Sequence, residues 1–391
     1  MMKPFNYFQP TEIRFGRGRL NEIGEVISHY GKRCLLVSGS FKDTLAFVTL
    51  FERVKRDLKE TGVDVEHFNG VIPNPTTDCI TAGAKMASTF GADVILGIGG
   101  GSSMDVAKAI AVEATHPGTA WDYRWCSETQ PTAKTLPIVV IPTTSGTGSE
   151  VTQVAVLTNL AENDKSAIYN NIIYAKTAIV DPELTLTVPT HVTASTGFDT
   201  FTHAFESYLH CNASPYTDTL ALEAIKLVAK YLPTAVDEGT NIAAREAMAW
   251  ASTLAGLCIA NAGVTLPHGV GMTIGGYCPH IMHGEALALT YPEFTRYTYP
   301  SAIKQFATVG RIFNPTLERE PDEVAAKQAC QEIDEFLKRI GMWLDLEGLK
   351  VTEEEVVLIA DHSQVLPDYK NNPRIATREE IHEMLKKSFR R

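Results

Sequence analysis

Asp199 and His203 are two residues whose types and spacing suggest metal chemistry. They lie four apart in the sequence, and His268 and His283 follow downstream. On a helix, side chains at i and i+4 share one face, so a carboxylate and an imidazole could bind one ion together. Such pairs also occur on solvated helix surfaces. The spacing alone therefore leaves two alternatives, a metal half-site and an ordinary polar face.

A glycine-rich turn follows an apolar run at residues 94–98. Gly99, Gly100 and Gly101 are consecutive, and Ser102 and Ser103 come next as candidate caps of a following helix. Consecutive glycines let the backbone approach a ligand, and the free N–H groups of a helix's first turn favour a phosphate. A tight turn without a ligand is the alternative. Three glycines exceed what such a turn needs, so the pattern favours a phosphate site.

A second loop, residues 143–149, follows the apolar run 137–142. It supplies five hydroxyl groups, among them Thr143, Thr144 and Thr147, and two glycines. Ligands of open parallel sheets bind at the carboxyl ends of strands, where this loop lies, although a solvated hairpin would have the same composition. Neither loop carries the P-loop or the Gly-x-Gly-x-x-Gly pattern. Together they favour a dinucleotide over a nucleoside triphosphate.

The elements that must position these residues change in character along the chain. Between residues 32 and 181, short β-branched runs alternate with amphipathic stretches, which predicts βαβ units and a parallel sheet. Beyond this point, Ala-rich stretches with a period of 3.6 dominate, which predicts an all-helical region. We therefore expect an α/β domain at 1–185 and a helical domain at 186–391.

Composition excludes several functional classes. The net charge of -11 argues against nucleic acid or an anionic membrane as a partner. The seven cysteines are scattered and never spaced as Cys-x-x-Cys, which is typical of reduced thiols. We find neither a signal peptide nor an apolar run long enough to span a bilayer. These features predict a cytoplasmic protein.

Seven short motifs occur in a fixed order along nearly the whole chain. They are Phe15-Gly16-x-Gly18, Pro73-Asn74-Pro75-Thr76, Gly99-Gly100-Gly101-Ser102-x-x-Asp105-x-x-Lys108, Thr143-Thr144-x-Gly146-Thr147-Gly148-Ser149-Glu150, Asp181-Pro182, Gly197-x-Asp199-x-x-x-His203-x-x-Glu206, and Asn261-Ala262-Gly263 before His268-Gly269. In this order they resemble the iron-containing (group III) alcohol dehydrogenases, which are related in fold to glycerol dehydrogenase and dehydroquinate synthase.

The resemblance implies an architecture and a set of site residues. The fold would be dehydroquinate synthase-like, with an α/β dinucleotide-binding domain and parallel sheet followed by an all-α metal-binding domain, in a homodimer or higher homo-oligomer. The metal ligands would be Asp199, His203, His268 and His283. The residues implied to bind the cofactor are Asn74, Gly99, Gly100, Gly101, Ser102, Asp105, Thr143, Thr144 and Thr147.

The chain departs from the family pattern near the third ligand. Many members carry a histidine four residues after it, often credited with proton transfer, whereas this chain has Met272. It also has His280 three residues before His283. Either histidine could complete the site. We favour His283, because Gly284 allows close approach and the His-Gly pair matches the family.

A site of three imidazoles and one carboxylate suits Fe²⁺, with Zn²⁺ as an alternative, because catalytic zinc usually has only three protein ligands. The expected function is hydride transfer between NAD(P)(H) and a small alcohol or aldehyde, similar to butanol or propanediol dehydrogenases. NAD-preferring relatives often have an aspartate where Gly39 stands. Gly39, Ser40 and the nearby Lys42 remove that repulsion of a 2′-phosphate, which favours NADP(H).

Three other functions are compatible with parts of the pattern. A lyase of the dehydroquinate synthase type would need a basic pocket, and residues 261–279 contain no lysine or arginine. An iron oxygenase with two histidines and one carboxylate is disfavoured by the cofactor loops and the third histidine. A non-catalytic nucleotide- or metal-binding protein is the remaining alternative.

Overall fold

The computed structural model describes residues 4–40, 45–162 and 164–391. These form two compact units, one of residues 9–188 and one of residues 189–391 together with the N-terminal residues before Gln9. In the second unit the Phe8 amide donates to Asn261 Oδ1 at 2.9 Å, and the ring centroids of Tyr7 and Tyr216 lie 4.3 Å apart. The N-terminal segment therefore packs with the helices.

The first unit contains every described β-strand. The strands are β1 (Glu12–Phe15), β2 (Arg33–Gly39), β3 (Asp64–Val71), β4 (Val94–Gly99), β5 (Ile138–Pro142), β6 (Val154–Asn159), β7 (Asp164–Tyr169) and β8 (Thr177–Val180). Its α-helices are α1 (Ile23–Tyr30), α2 (Leu45–Glu60), α3 (Thr77–Phe90) and α4 (Gly101–Glu113).

Six of these strands form one parallel sheet in the order β1-β8-β5-β4-β2-β3. The central strands β4 and β5 are buried along their whole length, as expected for parallel strands covered on both faces. The predicted parallel sheet is confirmed. Three strands were not predicted: the short strand β1, and the strands β6 and β7 of an antiparallel hairpin.

The register of the sheet brings two of the predicted loops to one edge. Gly99 at the end of β4 pairs with Pro142 at the end of β5, and β2, which ends at Gly39, pairs with β4 on its other side. A backbone bond from the Thr143 amide to the Gly99 carbonyl, 2.9 Å long, links the two loops. The loops after β4 and β5 are therefore neighbours.

Among its described residues, the second unit contains helices and no β-strand, which confirms the predicted all-α region. Its α-helices are α5 (Thr190–Leu209), α6 (Pro215–Asp237), α7 (Ile242–Asn261), α8 (Leu266–Tyr277), α9 (His283–Thr298), α10 (Ile303–Phe313), α11 (Asp322–Arg339), α12 (Glu353–His362) and α13 (Arg378–Lys387).

The helix α5 lies in the core of this unit. Phe198, Phe201 and Phe205 on α5 are fully buried, and Phe198 and Phe201 pack edge-on against Tyr291 of α9. A helix surrounded by neighbours on all sides loses its exposed polar face, so its polar residues must find partners within the protein. The polar side chains of α5 therefore stand out as candidates for function.

No single helix of the described residues is long and apolar enough to cross a membrane. One pair, α7 with α8, meets the length and composition criteria only when taken together, and the two helices are bent by 100° at the break.

Candidate metal centre and glycine-rich loop

Helix α5 holds Asp199 and His203 on one face, one turn apart. Both side chains are buried, with exposed fractions of 2% and 5%. His203 Nε2 lies 3.6 Å from Asp199 Oδ1. The two residues therefore do not form a solvated polar face, which was the alternative left open by their spacing.

Two further helices bring His268 and His283 to the same carboxylate. His268 Nε2, on α8, lies 3.6 Å from Asp199 Oδ1, and His283 Nε2, at the start of α9, lies 3.9 Å from it. The ring centroids are 4.6 Å apart for His203 and His268 and 5.2 Å apart for His268 and His283. Three imidazole nitrogens thus converge on one carboxylate oxygen.

These separations are too long for hydrogen bonds but suit ligands of a common ion. Two donors that each lie about 2.1 Å from an ion are roughly 3–4 Å apart. Asp199 Oδ1 and His268 Nε2 are buried, and neither has a hydrogen-bond partner among the described residues. Burying such polar atoms without a partner destabilises a protein, so the donor set fits a divalent cation.

The electrostatics of this cluster also favour a cation. Burial alone would raise the pKa of Asp199, but the surrounding imidazoles outweigh it and hold the pKa of this carboxyl well below its usual range. Burial alone would lower the pKa of His268, but the carboxylates of Glu206 and Asp199 raise it to about 10. The cluster therefore stabilises positive charge at its centre.

Glu206 contacts Nδ1 of His268, the ring nitrogen that does not face Asp199. One carboxylate oxygen, Oε1, lies 2.8 Å from His268 Nδ1, and Oε2 accepts hydrogen bonds from the Thr265 amide at 2.9 Å and the Thr265 hydroxyl at 3.2 Å. In the sequence, Glu206 stands out only as part of a motif. Its position three residues after His203, on the same helix face, was the available signal.

Gly284 permits the close approach of α9 to α5. A Cβ atom at this position would lie 2.1 Å from the Ser195 carbonyl oxygen and 2.6 Å from Ser195 Oγ. Any other residue would push the start of α9, and with it His283, away from Asp199. This contact is a physical reason for glycine beside His283.

The structure does not bring His280 to this cluster. Its side chain is exposed, and its Nε2 lies 3.0 Å from the Leu349 carbonyl oxygen. Met272, one helical turn after His268 on α8, is half-buried. Among the described residues, the converging side chains are therefore Asp199, His203, His268 and His283.

The glycine-rich turn joins β4 directly to α4. Gly100 is the N-cap and α4 begins at Gly101, so the idea that Ser102 or Ser103 caps the helix was wrong. The reason is that the helix starts earlier than expected and includes both serines. Gly99 has φ +149°, and a Cβ there would lie 2.3 Å from Ser103 Oγ.

Gly101 has a packing role as well. A Cβ on Gly101 would lie 2.6 Å from Thr147 Cγ2, whereas one on Gly100 would lie 3.3 Å from Thr144 Oγ1. The side chains of the second loop therefore lie directly against the backbone of the first. The amide groups of the first turn of α4 lie in this same region, where they could bind a phosphate.

Asp105 takes part in a buried network inside the α/β unit. Its Oδ1 accepts from the Ser149 hydroxyl at 2.7 Å and its Oδ2 from the Val156 amide at 3.1 Å. Lys108, fully buried one turn further along α4, donates to the carbonyl oxygens of Ser149, Thr152 and Val154 at 2.7–2.9 Å. We call Asp105, Lys108 and Ser149 the lysine network. It fixes the end of the second loop to α4.

The other predicted cofactor residues lie at strand ends or loops. Gly39 ends β2, and Ser40 is exposed beside it, whereas Lys42 lies outside the described residues. Asn74 has a left-handed backbone, with φ +50°, and its Oδ1 accepts from Lys165 Nζ at 2.9 Å. Thr143, directly after β5, is buried, and Ser102 and Thr144 are half-buried.

Comparison with known proteins identifies the family. The family model "Iron-containing alcohol dehydrogenase" matches residues 10–182, and the model "Fe-containing alcohol dehydrogenase family, C-terminal" matches residues 193–389. The chain is 33% identical to NAD-dependent methanol dehydrogenase of Bacillus methanolicus, over 98% of this chain and 100% of that protein.

Two further matches agree. The 1,3-propanediol dehydrogenase of Citrobacter freundii is 34% identical over 98% of this chain and 99% of that protein. The crystal structure of an archaeal alcohol dehydrogenase from a Red Sea brine pool, bound to NZQ, superposes with a TM-score of 0.94 at 32% identity and covers 100% of both chains. This chain therefore belongs to the iron-containing alcohol dehydrogenase family and is an oxidoreductase.

Proposed function

We propose that the protein transfers hydride between NAD(P)(H) and a small primary alcohol or aldehyde at a divalent metal held by Asp199, His203, His268 and His283. The observation that carries this proposal is the convergence of three imidazole nitrogens, at 3.6–3.9 Å, on the Asp199 Oδ1 atom, which is buried and has no hydrogen-bond partner among the described residues.

The proposed metal-binding and cofactor-binding residues would have separate roles. Asp199 and His203 provide two ligands from one rigid helix, and His268 and His283 provide the others. The amide groups at the start of α4 would bind the cofactor pyrophosphate, with Asn74, Thr143, Thr144 and Thr147 along the rest of the cofactor. When bound, the metal would supply Lewis acidity toward the substrate oxygen and the nicotinamide would supply the redox chemistry.

Iron is the metal that we favour. Four protein ligands plus a substrate oxygen would offer five donors to the ion, whereas catalytic zinc usually keeps three protein ligands. The family name and the chemistry of the donor set support this choice. Anaerobic loading with Fe²⁺ or Zn²⁺, followed by metal analysis and activity measurements, tests it. Higher activity with Zn²⁺ than with Fe²⁺ at equal metal occupancy would contradict it.

We further propose that NADP(H) is accepted and preferred. Support comes from Gly39 at the end of β2, because no carboxylate at this position can repel a 2′-phosphate. Gly39→Asp should shift the ratio of kcat/KM values toward NAD by about tenfold or more, equivalent to roughly 1.4 kcal/mol. A wild-type enzyme that strongly prefers NAD would contradict this proposal.

The cytoplasm is the proposed location, and a homodimer or larger homo-oligomer the proposed assembly. All seven cysteines are free, which supports a reducing compartment. The oligomer follows from the family resemblance. Light scattering of the purified protein tests it, and a monomer at micromolar concentration would contradict it.

The central experiment is an activity assay on short primary alcohols, with methanol and 1,3-propanediol included because relatives act on them. Metal-loaded protein should change absorbance at the nicotinamide band. His268→Ala should lose metal and activity together while the fold, followed by circular dichroism, is retained. If the metal-loaded protein turned over no alcohol or aldehyde with either cofactor, the proposal would fail.

A further inference from the structure

We infer that Glu206 is a positioning residue that fixes the tautomer and direction of His268 and thereby sets the metal affinity of the site. This inference rests on the proposed metal centre. It concerns how the chain prepares one ligand before an ion arrives.

The hydrogen bonds of the Glu206 carboxylate indicate which nitrogen of His268 carries a proton. Its side chain is fully buried, and Oε2 accepts from the backbone amide of Thr265, a group that can only donate. Oε1 then remains as the acceptor that faces His268 Nδ1, 2.8 Å away. The proton of the imidazole is therefore held on Nδ1.

The consequence for the ligand atom follows from the two nitrogens of an imidazole. With Nδ1–H held by Glu206, Nε2 is the nitrogen that can bind an ion once it has released its own proton, and this atom lies 3.6 Å from Asp199 Oδ1 with no hydrogen-bond partner among the described residues. A carboxylate behind a metal-binding histidine typically contributes 10–100-fold to metal affinity.

Glu206 also fixes the backbone that carries His268. Thr265 is the N-cap of α8, and its amide and hydroxyl both donate to Glu206 Oε2. Because Glu206 lies on α5 with Asp199 and His203, it connects the helix of two ligands to the start of the helix of the third. Without these hydrogen bonds, the distance between α5 and the start of α8 would be less tightly fixed.

Glu206→Gln tests the inference with almost no change in shape. An amide offers one acceptor and one NH₂ donor. If its NH₂ faces His268, the imidazole must accept at Nδ1 and carry its proton on Nε2, where it blocks the ion. If its NH₂ faces Thr265 instead, two donors oppose each other. Either way we expect metal affinity to fall by about 10–100-fold.

Thr265→Val is the matched control. It keeps the backbone amide that donates at 2.9 Å and removes only the hydroxyl contact at 3.2 Å. We expect its metal affinity to stay within about threefold of the wild type, since the bond to His268 is intact. Affinities are measured by chelator competition with Co²⁺, whose absorption spectrum also reports the ligand geometry.

The wild-type protein provides a test that does not depend on variants folding. In Zn²⁺-loaded protein labelled with ¹⁵N-histidine, NMR should show His268 protonated at Nδ1 and bound to metal through Nε2. Protonation at Nε2, or equal metal affinity in Glu206→Gln and wild type, would overturn the inference. If wild-type protein bound no metal at all, the proposed function itself would fail, which is a distinguishable result.

Discussion

The two units of this protein each contain a buried polar cluster, and the clusters differ in whether their polar atoms have partners. In the lysine network, the Lys108 ammonium donates to three carbonyl oxygens, and both oxygens of Asp105 accept hydrogen bonds. In the cluster of Asp199, His203, His268 and His283, the Asp199 Oδ1 and His268 Nε2 atoms lack partners among the described residues.

The difference separates a polar cluster that stabilises the fold from one whose unpaired atoms fit a ligand. Buried polar groups in native proteins nearly always have partners, so an exception needs an explanation such as a role in binding an ion. Both clusters contain charged groups, so charge alone does not distinguish them. Burial lowers the pKa of Lys108 to about 8, which leaves this side chain largely charged at neutral pH. The atoms without partners are the more informative sign of function.

The largest expected effect comes from breaking the lysine network. Lys108→Met leaves the Asp105 carboxylate and three carbonyl oxygens without their cation, which should lower the free energy of unfolding by about 3–5 kcal/mol. Urea denaturation measures this. Lys134→Met, at an exposed lysine, is the control and should change stability by less than about 0.5 kcal/mol. Similar losses in both variants would remove the distinction between the clusters.

A second prediction concerns His210 in the helical unit, a buried residue whose Nδ1 atom has a hydrogen-bond partner. His210 is 5% exposed, and its Nδ1 accepts from the Asn212 amide at 2.9 Å. Burial lowers its pKa to about 4, while Glu206 opposes this effect. The unfolded chain, with a histidine pKa of about 6.5, therefore binds more protons than the folded protein between pH 6.5 and 4.

The protein should therefore lose stability as the pH falls below about 6.5. The stability due to neutral His210 is complete above about pH 6.5 and is lost as the pH falls toward 4, by on the order of 3 kcal/mol. His210→Asn keeps an acceptor for the Asn212 amide but cannot be protonated, so its stability should depend less on pH over this interval. Parallel pH profiles of unfolding free energy for the two proteins would contradict the prediction.

The smallest expected effect compares the two glycines that follow proposed ligands. Gly284→Ala should destabilise the protein by about 1–3 kcal/mol through overpacking and should weaken metal binding, because its Cβ meets the Ser195 carbonyl at 2.1 Å. Gly269→Ala has only ordinary contacts, at 3.6 Å or more, and should be neutral or stabilise α8 by up to about 1 kcal/mol. Thermal unfolding and metal titration measure both effects. Equal metal affinity in both variants would show that α9 does not need its close approach.

Much of this molecule could be predicted from local patterns. The β-branched runs predicted five strands of the parallel sheet, and the 3.6 periodicity predicted the helical unit, because burial imposes those periods on the sequence. The start of α4 could not be predicted. Its boundary depends on Ser103 and Thr147 packing against Gly99 and Gly101, which only the folded loops bring about.

Part of the site could likewise be predicted from local sequence patterns, and part could not. The i, i+4 spacing of Asp199 and His203 was visible in the sequence because both lie on one helix. The sequence favoured His283 over His280 but could not decide between them, since the choice depends on where α9 begins and on its contact with Ser195. The partnership of Glu206 with Thr265 spans 59 positions and has no local signal.

The N-terminal segment has a practical consequence for anyone who expresses the helical unit alone. A fragment that begins at residue 189 would lack the Phe8 amide that bonds to Asn261 and the Tyr7 ring that packs on Tyr216. Both partners belong to that unit, so the cut would expose an apolar ring face and free an amide oxygen. A peptide of the first residues, added in trans or joined through a linker, is the missing piece of such a fragment.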